Sequence, residues 1–303
     1  MGKRKTKLSV TLATKNEEAN IARCLNSVKD IADEIVIFDE HSNDDTVKIA
    51  KSFGAKVFDT DHEPIFHITK EKANKKACGD WILQLDADEC VSEELAWEIK
   101  SILDGKHDQF IAKHINSKLK KYKDRLFYQH QENINKRDGR RDSDGEVVAY
   151  YLPRKNIFLG KPITYAGVYP DGVIRLFKKG KAYLPGESVH EQMKVNGRVS
   201  WCYFDLLHYD SPTFERYLYR ANRYTDLTAM KFKSQNVSVS LWNLLYYSFV
   251  KPTLFFVKLY FRHLGFRDGM RGFIWSFFSA LHFPIAYFKY YSEVKKDLEL
   301  KKF

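Results

Sequence analysis

The sequence predicts an α/β fold built on a mainly parallel sheet, followed by a smaller mixed lobe and C-terminal amphipathic helices. Three observations carry this reading. The first hundred residues alternate short β-branched runs with amphipathic stretches, the pattern of repeated βα units. Composition then changes twice, becoming polar and basic near residue 113 and aromatic in the last third, where 28 of the 45 Phe, Trp and Tyr lie between residues 201 and 303. The boundaries that follow are 1–112, 113–235 and 236–303.

Leu8 to Thr14 is a strand in this reading, and Asn16 an N-cap for a helix with Glu17 and Glu18 in its first turn and Ile21, Leu25 and Val28 on one face. Glu34 to Asp39 is a nearly all-apolar strand ending in a carboxylate, and Thr46 to Phe53 a helix closed by Gly54. A strand at Ala55 to Asp59, a helix at Ile68 to Cys78 and a strand at Asp80 to Leu85 lead to Asp86, Ala87 and Asp88; Glu93 to Leu103 is again helical. From Lys113 to Gly145 there are ten basic residues against five acidic ones and no sustained period, which reads as a mobile or acceptor-facing insertion. Short strands return at Val147 to Leu152 and Val173 to Phe177. Helical stretches cover Phe214 to Phe232, Trp242 to Phe261 and Phe273 to Tyr291.

A formal charge of +11 suits phosphate-bearing partners of several kinds. Cys24, Cys78, Cys90 and Cys202 have neither zinc-site nor disulfide spacing, so each reads as a small buried apolar residue. The N-terminus shows no secretory signal, and the expected location is cytoplasmic, peripheral on the inner face of the membrane.

Chemistry is expected where strands end. Asp86 and Asp88, two residues apart in an extended run, would present two carboxylates to one divalent cation, Mn²⁺ or Mg²⁺. Two solvated acids in a loop are the bland alternative. Asp39 and the group Thr14, Asn16 and Glu17 end neighbouring strands at the same edge, where open α/β sheets bind ligands. Arg154 and Arg175 suit a diphosphate or an anionic acceptor, or else form salt bridges.

The blocks L-S-V-T-L-A-T-K-N-E-E-A-N-I-A-R-C-L, E-I-V-I-F-D-E-H-S-N-D-D-T and G-D-W-I-L-Q-L-D-A-D-E resemble, in order and spacing, the nucleotide-binding half of family 2 glycosyltransferases with the GT-A fold. P-R-K-N-I-F-L-G, Y-P-D-G-V-I-R-L-F-K-K-G, V-H-E and G-F-R-D-G-M-R-G-F resemble the lipopolysaccharide-core β-glucosyltransferase-like branch. The resemblance implies an inverting transferase that takes a nucleotide-diphosphate sugar, UDP-linked in first place, to a hydroxyl of a glycan or lipid-linked acceptor. It implies that Asp39 holds the nucleoside, that Thr14 and Glu17 lie against the base or ribose, with Asn16 between them in the same cofactor-binding group, and that Asp86 and Asp88 serve metal and diphosphate. Glu191 is the first choice of general base and Asp171 the second. His190, beside Glu191, is either a further metal ligand or a structural histidine.

From Asn236 to Phe303, ten Lys/Arg against four acids are interleaved with aromatic rings, as in helices that lie at a membrane interface; packing within a homo-oligomer is the alternative. The apolar run Gly272 to Phe288 is 17 residues long and contains Pro284, at the short limit of a membrane span. Two other functions use some of the same features. A nucleic-acid-binding protein would use the basic stretch and the rings, but no RNA or DNA motif is present, so no nucleic-acid partner is expected. A metal-dependent nucleotidyltransferase would lack its Gly-rich phosphate loop.

Overall fold

The structure, a computed structural model, describes residues 6–114, 122–137, 145–187 and 192–300. The elements are β1 (Leu8–Thr14), α1 (Glu18–Val28), β2 (Glu34–Asp39), α2 (Thr46–Ser52), β3 (Lys56–Asp59), α3 (Phe66–Lys76), β4 (Trp81–Gln84), β5 (Glu89–Val91), α4 (Glu93–Leu103), α5 (His107–His114) and α6 (Tyr122–Arg137). They continue with β6 (Val147–Phe158), β7 (Lys161–Pro162), β8 (Asp171–Lys178), β9 (Ala182–Tyr183), β10 (Lys194–Val195), β11 (Arg198–Trp201), β12 (Leu206–Ser211), α7 (Phe214–Ser234), α8 (Leu241–Leu245), α9 (Lys251–Val257) and α10 (Met270–Leu300). Two compact units result: Met1–Lys155 with Pro170–His208, and Asn156–Tyr169 with Tyr209–Phe303.

In the larger unit β3, β2, β1 and β4 lie side by side and parallel, with β8 and then β6 added antiparallel beyond β4. β12 pairs antiparallel with β5. Apolar residues 3 or 4 apart drive α1 onto the sheet: Ile21, Cys24, Leu25 and Val28 are buried against a core that includes Leu8, Leu12, Ile37 and Leu83. Because the chain order 3-2-1-4 reverses between β1 and β4, a crevice opens at the carboxyl ends of these strands. Thr14, Asp39 and the residues after Gln84 stand there.

Several local expectations change. Asn16 is not an N-cap: its φ of 54° puts it in the left-handed region, Glu17 takes the cap position, and the Asn16 side chain accepts the Asn43 N–H at 2.8 Å. It ties two loops together instead of starting a helix. Residues 122–137, read as aperiodic, are helical. Residues 86–89 form a turn closed by the Glu89 N–H on the Asp86 carbonyl at 2.9 Å, not an extended run. Cys78 is exposed, whereas Cys24, Cys90 and Cys202 are buried, and all four are free.

Close packing explains the Y-P-D-G block. A Cβ on Gly172 would lie 2.3 Å from the Trp201 ring, so only glycine lets β8 pass beneath that side chain. Trp201 in turn stacks on Tyr151 at 4.6 Å.

In the smaller unit α7 and α10 pack together through Ala229, Phe232, Ala286, Tyr287 and Tyr290. The G-F-R-D-G-M-R-G-F block is another close approach: a Cβ on Gly272 would meet the Gly265 carbonyl oxygen at 1.8 Å. Pro252 is the second residue of α9, which directly follows a π-helical turn, Tyr246–Val250, so the helical backbone runs on through it. Among the described residues no helix is long and apolar enough to cross a membrane.

Candidate active site

At the end of β1 the Thr14 hydroxyl donates to the Asp39 carboxylate at 2.7 Å, and Ser42 donates to it from both its N–H and its hydroxyl at 2.7 Å. Asp39 is 1% exposed, so these donors replace its lost hydration. Glu17 stands in the adjoining loop, its N–H held by the Thr46 hydroxyl at 2.7 Å. The next residue after Asp39, Glu40, is equally buried; it accepts from Thr69 at 2.6 Å and lies 2.5 Å from His62 Nδ1. The ends of β1 and β2 are thereby fixed as one polar edge.

The turn after β4 is held by charge. Arg175, on β8, donates to Asp86 at 2.5 Å and to Glu89 at 2.8 Å, while its Nη1 reaches the Gln84 side chain at 2.7 Å. Lys70, on α3, meets the other oxygen of Asp86 at 2.5 Å. Glu89 is fully buried; it accepts the Asp86 N–H at 2.9 Å and also faces Arg154 at 3.4 Å, which pairs in addition with Asp171. Burial alone would raise the Asp86 pKa, but Arg175 and then Lys70 outweigh it and hold the carboxyl well below the usual range. Arg175 is treated the opposite way: burial opposes its charge, and Asp86 and Glu89 more than restore it.

Asp88 points elsewhere. Its carboxylate lies 3.6 Å from Nε2 of His208, which sits on β12 opposite Glu89 and is 7% exposed. An imidazole and a carboxylate with ligand atoms within 4.8 Å of each other form a donor set suited to a divalent transition metal. Asp210 follows two residues along β12 and leaves the strand on the same face as His208.

Residues 9–162, just over half the chain, match the model of the family described as glycosyl transferase family 2. The chain belongs to that family. An uncharacterized glycosyltransferase of Rickettsia felis is 29% identical over 96% of this chain and 90% of its own. Another, from Rickettsia typhi, is 47% identical over 105 residues, covering 34% of this chain and 35% of its own length. A lipopolysaccharide core biosynthesis glycosyltransferase, LpsC of Rhizobium meliloti, is 24% identical over 92% of this chain and 89% of its own. The enzyme is therefore a nucleotide-sugar glycosyltransferase, and the crevice described above lies within the matched segment.

The structure brings most of the sequence-derived residues of this family 2 enzyme into two groups. Thr14, Glu17 and Asp39 share one edge; Asp86, Arg154, Asp171 and Arg175 share one network. Arg154 and Arg175 do form salt bridges; Arg175 is itself buried, whereas Arg154 and its partner Asp171 are part-buried. Glu191 and His190 lie outside the described residues. Sequence reasoning missed Lys70, Glu89 and His208. Glu89 was the most accessible of these, since it follows D-A-D directly and a turn there returns its side chain to Asp86.

Glu89→Gln leaves the buried Arg175 under-compensated and should destabilise the fold by about 3–5 kcal/mol, read as a lower urea midpoint at neutral pH. The Asp86 pairs carry a pH signature. With a folded pKa below the unfolded value of about 3.9, their stabilisation is complete above that pH and is lost as the pH falls through the folded value. Asp86→Asn should flatten the stability profile in that acid window; an unchanged profile would show that the pairs contribute nothing there.

Proposed function

We propose that this enzyme is an inverting glycosyltransferase that moves a sugar from a UDP-sugar to a hydroxyl of a glycan or lipid-linked acceptor in cell-envelope synthesis. The observation that carries the reading is the placement, at the carboxyl edge of β1, β2 and β4, of a nucleoside-type edge next to a carboxylate–imidazole pair and a buried cationic network. Thr14, Glu17 and Asp39 line the nucleoside side. Asp88 and His208 would hold the divalent ion, whose chemistry is to neutralise charge on the leaving diphosphate. Asp86 anchors the turn that presents Asp88, through Arg175 and Lys70. The buried Nε–H of Arg154 meets no hydrogen-bond acceptor among the described residues, and a diphosphate oxygen is the kind of group that would satisfy it.

An acceptor hydroxyl must lose its proton as it attacks. Glu191 is assigned that role, because the second choice, Asp171, is already engaged by Arg154. The acceptor class is supported by the full-length likeness to a lipopolysaccharide core biosynthesis glycosyltransferase.

Asp88→Asn and His208→Gln should each abolish metal-stimulated transfer from a UDP-sugar while circular dichroism shows the chain still folded. Glu191→Gln should keep donor binding and lower turnover by about two to four orders of magnitude. Turnover within a few-fold of wild type in Glu191→Gln would return the base to Asp171.

The smaller unit supports attachment to an anionic membrane surface. Leu241, Trp242, Phe249, Leu254 and Met270 are each more than 60% exposed, and Lys258, Arg262 and Arg267 stand exposed among them. The full chain should sediment with anionic vesicles, more weakly in high salt, and Trp242→Ser with Leu254→Ser should release it. A chain that ignores vesicles but self-associates through these residues would replace the membrane with a homo-oligomer.

A further inference from the structure

The smaller unit contains a cavity of about 670 Å³ between α7 and α10, inside the range of about 300–1,000 Å³ typical of small-molecule sites. Its walls are mostly carbon: Tyr217, Leu218, Phe255, Trp275, Phe278 and Ile285 supply them. The polar groups it does contain are largely spoken for. Asp210 pairs with Arg220, and His282 Nε2 is bonded to the Thr228 hydroxyl at 2.8 Å. Burial, reinforced by the Lys251 and Lys289 charges, lowers the His282 pKa, so the ring stands neutral at physiological pH. Sugar hydroxyls placed against such walls would forfeit their hydrogen bonds to water, whereas a hydrocarbon would not.

The cavity is not sealed. Leu218, Tyr224 and Ile285 line it and are also 42%, 46% and 42% exposed. Along α7, Arg216, Arg220 and Arg223 follow one another at i, i+4 and i+7, a single row on the helix surface that runs beside the lining positions 217, 221 and 224. Arg220 is neutralised by Asp210. Arg216 and Arg223 are exposed and leave the row cationic.

We infer that this cavity receives the hydrocarbon chain of an anionic amphiphile whose phosphorylated head rests on the exposed Arg216 and Arg223. The apolar wall sets the affinity for the chain. The guanidinium row, whose planar donors match phosphate oxygens, sets the head and the direction of entry. The inference rests on the lipid-facing part of the proposed function, and gives that part a defined site on this unit.

The test is calorimetric titration of the full chain with decyl, dodecyl and tetradecyl phosphate, each below its micelle threshold. Inorganic phosphate and dodecyl maltoside serve as controls. Binding should tighten about fourfold for each added methylene. Inorganic phosphate should give no measurable heat, and dodecyl maltoside should bind at least about tenfold more weakly than dodecyl phosphate. Ala221→Phe, which fills the cavity, should remove the dependence on chain length. Arg216→Gln with Arg223→Gln, both on the exposed surface of α7, should lower the affinity for alkyl phosphate to that for the maltoside and keep the increment per methylene. Equal affinity at every chain length would overturn the proposal, as would Ala221→Phe binding like wild type. Vesicle sedimentation separates the two readings. A wild-type chain that binds alkyl phosphates but ignores anionic vesicles keeps the cavity site and loses membrane attachment; the reverse pattern loses the cavity site alone.

Discussion

The site depends on one guanidinium. Arg175 reaches from β8 into the turn after β4 and meets Asp86, Glu89 and Gln84 there, in a place where burial would otherwise discharge it. A buried cation needs its carboxylates, and these carboxylates need their cations, so the four groups admit few arrangements. The turn at residues 86–89 is the arrangement that satisfies them. Stability is the lesser consequence, since a buried ion pair often does no better than apolar residues of the same volume. Position is the greater one: with Asp86 and Glu89 both turned toward Arg175, Asp88 is the acid left to face His208 on β12.

That division of labour makes chemical sense for transfer from a diphosphate donor. Asp86, held ionised by Lys70 and Arg175, is committed to the scaffold. Arg154 and Arg175 keep positive charge under a crevice whose proposed substrate is polyanionic, where low dielectric strengthens each contact. The edge proposed for the nucleoside is fixed separately, through Thr14, Asp39 and Ser42, so the two halves of the proposed site are held by independent hydrogen-bond sets.

Much of this was legible in the residues. Strong periodicity located β1, α1, β2 and α4 within a residue or two, because each buries a continuous apolar face whose spacing is visible in one dimension. The carboxyl-edge cluster followed from strand ends alone. Legibility failed where side chains meet across long sequence separations. Lys70 lies on a helix whose buried face is Thr69, Lys70, Ala73 and Asn74, so apolar periodicity did not single it out. His208 gains meaning only from the pairing of β12 with β5, where it lies opposite Glu89, 119 residues earlier in the chain. Asn16 misled for a different reason: its side chain serves a neighbouring loop, a use that local capping rules do not anticipate.

In the proposed site, the buried Glu89–Arg175–Asp86 network positions Asp88 for a divalent ion without binding that ion itself. Titration of Mn²⁺ and UDP into Glu89→Gln, at a temperature where circular dichroism shows the variant folded, tests this most directly. The account predicts metal affinity weaker by about 10- to 100-fold, the loss typical when the group supporting a ligand is removed. Wild-type affinity in a folded Glu89→Gln protein would contradict it.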